Sequence, residues 1–185
     1  MAGLLVIHYS GEHLFFDLNG HWNRFLDGVM PITTWMGNGW AFVALLLVLL
    51  ALKRFRVFFT GAAVFAISSL ICLGLKYLFH QPRPLVYFSG RENLVHYVPG
   101  VYIFHYLSFP SGHTTTAFAS FCFLTLVVRQ KKFGILFFLL AMATAWSRVY
   151  LGEHFFGDIY AGSLLGTVSA IGIWWAADKF FPARS

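Results

Sequence analysis

Five apolar runs, each about the twenty residues that a helix needs to cross the hydrocarbon of a bilayer, constrain this chain more than any other feature. They lie near Trp35 to Leu52, Val57 to Leu78, Gly112 to Val128, Phe133 to Val149 and Phe155 to Ala177, each interrupted by a short charged or Pro/Gly-containing segment. Apolar types make up 58% of the 185 residues and charged types 11%, with a mean hydropathy of +0.70, so the bilayer is the first solvent to consider. No separate soluble domain has room to fit. The expectation is an all-α integral membrane helical bundle of five to six transmembrane helices, forming one domain over residues 1–185.

The formal net charge of +6 would suggest nucleic acid in a soluble protein, but here the cations cluster at the ends of apolar runs. Lys53-Arg54-Phe55-Arg56, Arg129-Gln130-Lys131-Lys132 and the tail with Lys179 and Arg184 fall on one side, which the positive-inside rule makes cytoplasmic. The other side receives the loop over 79–110, the Ser147 to His154 connection, the N-terminal segment, and six of the seven acidic residues. In residues 1–31, Leu14, Phe15, Phe16, Leu18, Trp22, Phe25 and Leu26 interleave with Glu12, His13, Asp17, His21, Arg24 and Asp27. That pattern fits an amphipathic helix in the interface better than a sixth span. Cys72 and Cys122 both lie inside apolar runs, which reads as reduced packing rather than a disulfide framework. No removable signal peptide is apparent.

Three blocks carry the chemistry. Lys76 is followed after six residues by Arg83-Pro84; the loop returns to the membrane at Pro110-Ser111-Gly112-His113; and the next connection reads Ser147-Arg148, five residues, His154, three residues, Asp158. A single lysine near a span end is ordinarily a snorkelling anchor, and one acid at a helix start is ordinarily there for the dipole. Together the blocks resemble the type 2 phosphatidic acid phosphatase (PAP2) family, whose pattern is Lys-x6-Arg-Pro, Pro-Ser-Gly-His and Ser-Arg-x5-His-x3-Asp. All eleven fixed positions match. Spans assigned from apolar runs alone bring all three blocks out on one membrane face.

On a helix, His154 and Asp158 share a face, so the carboxylate can hold one ring nitrogen protonated while the other attacks. Lys76, Arg83 and Arg148 supply three cations for a phosphoryl group, and Ser111 and Gly112 open a helix whose free N–H groups form an anion site. Ser111 reads equally as a helix cap. His113, at the same helix start, stands where a leaving oxygen needs a proton. The resemblance assigns it that acid role, makes His154 a covalent phosphohistidine, and requires no cofactor or metal. His8, His13, His21, His80, His96 and His105 show no ligand spacing and read as interface or loop residues. Gly162 and Gly166 form a Gly-x3-Gly pair suited to close helix packing, with dimerisation a weaker reading, and the oligomeric state stays open. Glu153 departs from the apolar residue frequent before the family's nucleophile, and puts substrate class in question: it would repel phosphate or meet a substrate hydroxyl or amine.

The resemblance implies a small bacterial enzyme of the cytoplasmic membrane, its site on the extracytoplasmic side, that removes phosphate from a lipid. Candidates are undecaprenyl diphosphate, which asks least of a short loop, phosphatidylglycerophosphate, phosphatidic acid and lipid A. Two other readings stay open: a phosphotransferase that passes the same phosphoryl group to a lipid hydroxyl, and a non-catalytic anion-binding membrane protein.

Overall fold

The computed structural model describes residues 2–181, and side chains from residue 11 onward; Arg184 of the basic tail lies outside the described residues, as does the side chain of His8. Among the described residues eight helices follow one another: α1 (Ala2–Asn19), α2 (Arg24–Thr33), α3 (Gly39–Ala51), α4 (Phe55–Phe79), the short α5 (Pro84–Tyr87), α6 (Gly112–Val127), α7 (Phe133–Tyr150) and α8 (Phe156–Phe180). A 3-10 turn over Thr34–Gly37 leads from α2 towards α3, and another lies at Glu92–Leu94. The only bridge between extended residues among those described, Pro82 with Tyr106, closes the loop on itself.

α6 is the axis of the bundle, packed against α4, α7 and α8. Its inner positions are small or flat enough to let neighbours approach: Ala117 and Ala119 are fully buried, and Phe123 fills the gap towards Phe42, Val64 and Ala170. The Gly162–Gly166 pair does what its spacing suggests. A Cβ at Gly162 would stand 2.7 Å from the Ser111 carbonyl oxygen, and one at Gly166 would stand 2.8 Å from the Ala119 nitrogen, so α8 lies directly on α6. The outer faces carry exposed large apolar side chains, among them Trp40, Phe59, Leu70, Ile135 and Val168, as a bundle solvated by lipid requires.

Among the described residues three helices, α4, α7 and α8, are long and apolar enough to cross a membrane, and residues Arg24–Gly37 with Gly39–Ala51 form a fourth unit bent by 52°. The run expected to start at Trp35 is therefore a broken element. Asn38, extended at φ −72° and ψ 139°, ends the 3-10 turn, and its side chain accepts from the Trp40 N–H to start α3. α6, with 16 residues, rises only about 24 Å and is shorter than the hydrocarbon by itself. α4, α7 and α8 pack around it.

The N-terminal segment is two helices rather than one amphipathic rod. α1 ends at Asn19, and Asn23 starts α2 by accepting from the Leu26 N–H. Asn19 is fully buried: its amide nitrogen donates to the carbonyls of Val149 and Tyr150 at the end of α7 and of His96 in the loop, while its oxygen accepts from the His96 N–H. Phe15 joins Phe88 of the loop and Phe155 in one cluster, with ring centroids 5.3 and 5.5 Å away. Segment 79–110 is thus a packed cap, not a free loop. At the opposite end the basic clusters close helix termini. Lys131 donates to the Thr125, Leu126 and Val128 carbonyls after α6, and Arg56 donates to Ala177 and Phe181 and pairs with Asp178 at 2.9 Å after α8. Both cysteines are free.

Candidate active site

Four local signals bring the three blocks together. Pro84 at the first position of α5 keeps Arg83 extended, at φ −85° and ψ 166°. Arg83 N–H then donates to His105 and Ser108 N–H to Gln81, so the two arms of the loop zip and fold Arg83 inward. Ser111 caps α6: its hydroxyl accepts from the N–H and the hydroxyl of Thr114, and its own N–H donates to the Asp158 carbonyl. Gly152, at φ +69° with the Tyr97 ring 2.7 Å from where a Cβ would sit, reverses the chain after α7. The Glu153 and His154 N–H groups both donate back to the Arg148 carbonyl, which lays those side chains over the end of α7.

At the centre is His154, 1% exposed. Its Nδ1 lies 3.3 Å from Asp158 Oδ2 and 3.4 Å from Ser108 Oγ. Asp158 Oδ2 also accepts from the Ser108 hydroxyl at 2.5 Å and from the Phe155 N–H at 2.9 Å. With Nδ1 occupied on the carboxylate side, Nε2 is the free nitrogen, and His154 forms part of the wall of a cavity of about 300 Å³. Burial first, then the charges of Arg83, Arg148 and Lys76, hold the His154 pKa well below the ordinary imidazole value, which favours the neutral ring.

Lys76, Arg83, Gly112 and His113 line the same cavity. Lys76 Nζ donates to the Leu107 and Ser108 carbonyls. Arg83 Nε donates to the Tyr106 carbonyl at 3.0 Å, and its guanidinium carbon stands 5.0 Å over the Phe104 ring. Gly112 and His113, in the first turn of α6, have no intrahelical acceptor for their N–H groups, so the helix start faces the cavity with open donors. Such a wall has donors and dimensions suited to an anion of phosphate size, and two imidazoles border it.

Not every expected residue reaches the cavity. Arg148, 4% exposed, lies behind it. Its Nη1 donates to the Thr34 hydroxyl at 2.6 Å, its Nη2 is 3.5 Å from Glu153, and its buried Nε has no partner among the described residues. Ser111 and Asp158 act from behind as well, Ser111 as a cap and Asp158 through His154. Glu153 is 2% exposed and ion-paired with Arg83 and Arg148.

Sequence reasoning missed Ser108, Thr34 and the Gly37-Asn38-Gly39 wall. A serine two residues ahead of the Pro110 block was a weak signal for the first. Nothing local marks Thr34, which meets its partner across 114 positions. Of the other histidines, His96 pairs with Asp27 at 2.8 Å and stacks on Trp22, His80 stacks on Tyr106, and His21 bonds to the Asp17 carbonyl. Among the described residues no group of three or more His, Cys, Asp or Glu side chains is arranged to hold a metal ion.

This arrangement sits in a chain whose residues 58–182 match the model of the PAP2 superfamily. The chain belongs to that superfamily. The lipid A 4'-phosphatase of Porphyromonas gingivalis is 30% identical over 168 residues, covering 85% of this chain and 68% of that protein. The undecaprenyl-diphosphatase BcrC of Bacillus subtilis is 31% identical over 155 residues, 78% of this chain and 71% of that one. A 44% identical match to the bacitracin transport permease protein BcrC of Bacillus licheniformis is confined to 72 residues, 39% of this chain and 34% of that protein. Among solved structures, Aquifex aeolicus LpxE superposes with a TM-score of 0.79 at 25% identity, over 90% of this chain and 95% of its own.

Proposed function

We propose that this protein is a membrane lipid phosphatase that cleaves a phosphate monoester or diphosphate through a phosphohistidine on His154. The observation that carries the reading is the orientation of His154: Ser108 and Asp158 occupy its Nδ1 side, while the ring borders a cavity walled by Lys76, Arg83 and the start of α6. In the first step Nε2 attacks phosphorus, the bond from phosphorus to the lipid oxygen breaks, and His113 gives its proton to that oxygen. Asp158 balances the charge that develops on the His154 ring. In the second step water attacks phosphorus, the P–N bond breaks, inorganic phosphate leaves, and His113 recovers a proton from the water.

Lys76, Arg83 and the Gly112 and His113 N–H groups hold the phosphoryl oxygens in both steps, and Arg148 sustains the cation cluster from behind. Neither step needs a metal. The chain is one domain over residues 1–185 that crosses the bacterial cytoplasmic membrane five times, α2 with α3 as one bent span and α6 as a short enclosed one. Its site faces the extracytoplasmic side. Undecaprenyl diphosphate is the first substrate to test, because a terminal phosphate at the interface is all that a 300 Å³ cavity has to receive.

The test is phosphate release by the detergent-purified protein from undecaprenyl diphosphate, phosphatidylglycerophosphate, phosphatidic acid and lipid A, with chelator present and His154→Ala as control. Release that survives chelator and vanishes in the variant is the expected result. No release from any lipid by a folded protein overturns it, and label appearing on an added lipid alcohol instead of in free phosphate makes the protein a transferase.

A further inference from the structure

Two guanidinium groups, those of Arg83 and Arg148, converge on a single carboxylate oxygen, Glu153 Oε2. All three side chains are nearly inaccessible, with 10%, 5% and 3% of their surface exposed. Two cations brought this close in a poorly solvated place repel each other strongly unless an anion sits between them. Glu153 is that anion. Its position is fixed by the backbone, since the left-handed Gly152 turns it back over Arg148, and the Glu153 N–H is tied to the Arg148 carbonyl at 3.0 Å. The remaining guanidinium bonds hold the pair from the other side: Arg83 Nε to Tyr106, Arg148 Nη1 to Thr34.

We infer that Glu153 is the resident counter-ion of the site, a positioning residue that holds Arg83 and Arg148 together when no substrate is bound and, by competing for the Arg83 guanidinium, hastens the departure of released phosphate. The inference rests on the phosphatase reading and deepens it. Counting Lys76, Arg83 and Arg148 against Glu153 and Asp158 alone leaves one net positive charge, and an amide in place of the Glu153 carboxylate leaves two. The carboxylate therefore lowers by one the charge that a phosphate dianion meets, so the product is held without being trapped. With the amide a like charge within a few ångströms is removed, which at an effective dielectric near 20 tightens phosphate binding by about tenfold or more.

The experiment measures binding of inorganic phosphate and of orthovanadate to the full chain in detergent, by calorimetry and by the rise in melting temperature, for the wild type and for Glu153→Gln, Glu153→Val and Glu153→Asp. Phosphate release from the best lipid is followed alongside. Glutamine, and valine if the glutamine variant does not fold, is expected to tighten phosphate about tenfold and to lower kcat and KM together, as slower product release requires. Aspartate, which keeps the charge, is expected to stay within about threefold of wild type. Unchanged or weaker phosphate binding in the folded neutral variants overturns the inference, and so does an aspartate variant that behaves like glutamine. A wild type that binds phosphate but releases none from any lipid defeats the phosphatase reading instead, and leaves the binding comparison to decide the role of Glu153.

Discussion

Replacing Ser108 by alanine removes the shortest of the hydrogen bonds that hold Asp158, the one from Ser108 Oγ to Oδ2 at 2.5 Å. The carboxylate keeps the Phe155 N–H at 2.9 Å and the imidazole Nδ1 at 3.3 Å, so it is not orphaned, and the fold should lose only about 1 kcal/mol. The larger cost falls on the reaction. In the proposed mechanism the ring becomes cationic when Nε2 bonds to phosphorus, and the contact between Nδ1 and Asp158 must tighten while the carboxylate stays in place. A hydrogen bond to a charged acceptor contributes about 1.5–3 kcal/mol, and each ~1.4 kcal/mol expressed in the transition state is tenfold in rate. The expected fall in kcat is therefore about 10- to 100-fold. KM should hardly move, because Ser108 is fully buried and is not part of the cavity wall. Steady-state and single-turnover phosphate release in detergent micelles, with a melting curve for each protein, separates these effects. A kcat within twofold of wild type would refute the positioning role, and a raised KM at constant kcat would mean that Ser108 touches the substrate.

Thr34→Val keeps the shape but removes the acceptor of Arg148 Nη1, leaving a buried guanidinium with a second unsatisfied donor; kcat/KM should fall about tenfold, and Thr34→Ser should restore it. Gly166→Leu drives a side chain into the Thr115 carbonyl and the Ala119 nitrogen of α6 and should destabilise the bundle by about 1–3 kcal/mol or more, read as a lower melting temperature. Since the folded-state pKa of His154 lies well below that of the unfolded chain, the unfolded state binds more protons as pH falls through about 6.5, and stability should drop between pH 7 and 5. The melting temperature of His154→Asn should depend less on pH across that window, whereas equal slopes for the two proteins would exclude His154 as the source.

Periodicity and length located α4, α6, α7 and α8 to within three residues at each end, because bilayer-length apolar runs bounded by charge or by Pro-Ser-Gly leave little freedom for anything else. They did not reveal the break at Asn38, where an apolar run continues in sequence but a side-chain cap interrupts the backbone. The motif residues were legible because their spacing is local: five residues from Arg148 to His154, three from there to Asp158. What holds them was not. Asn19 reaching the end of α7, Thr34 reaching Arg148 and Ser108 reaching Asp158 are contacts between segments far apart in the chain, each made by a common polar residue with no flanking pattern. Arg148 was legible as a cation but not as one standing behind Glu153, since sequence spacing says which side chains share a turn and not which of them meets the solvent.

The region that carries the superfamily pattern starts at residue 58, yet Gly37, Asn38 and Gly39 complete the cavity wall and Thr34 braces Arg148 from outside that region. The cavity is thus walled from two parts of the chain, one inside the matched region and one ahead of it. Exchange of the first fifty or so residues among relatives would alter the cavity wall at Gly37, Asn38 and Gly39, and would leave the support of Arg148 intact only where a hydroxyl is kept at position 34. The break at Asn38 is what turns this stretch into the cavity, so a change there reshapes the wall without touching residues 58–182.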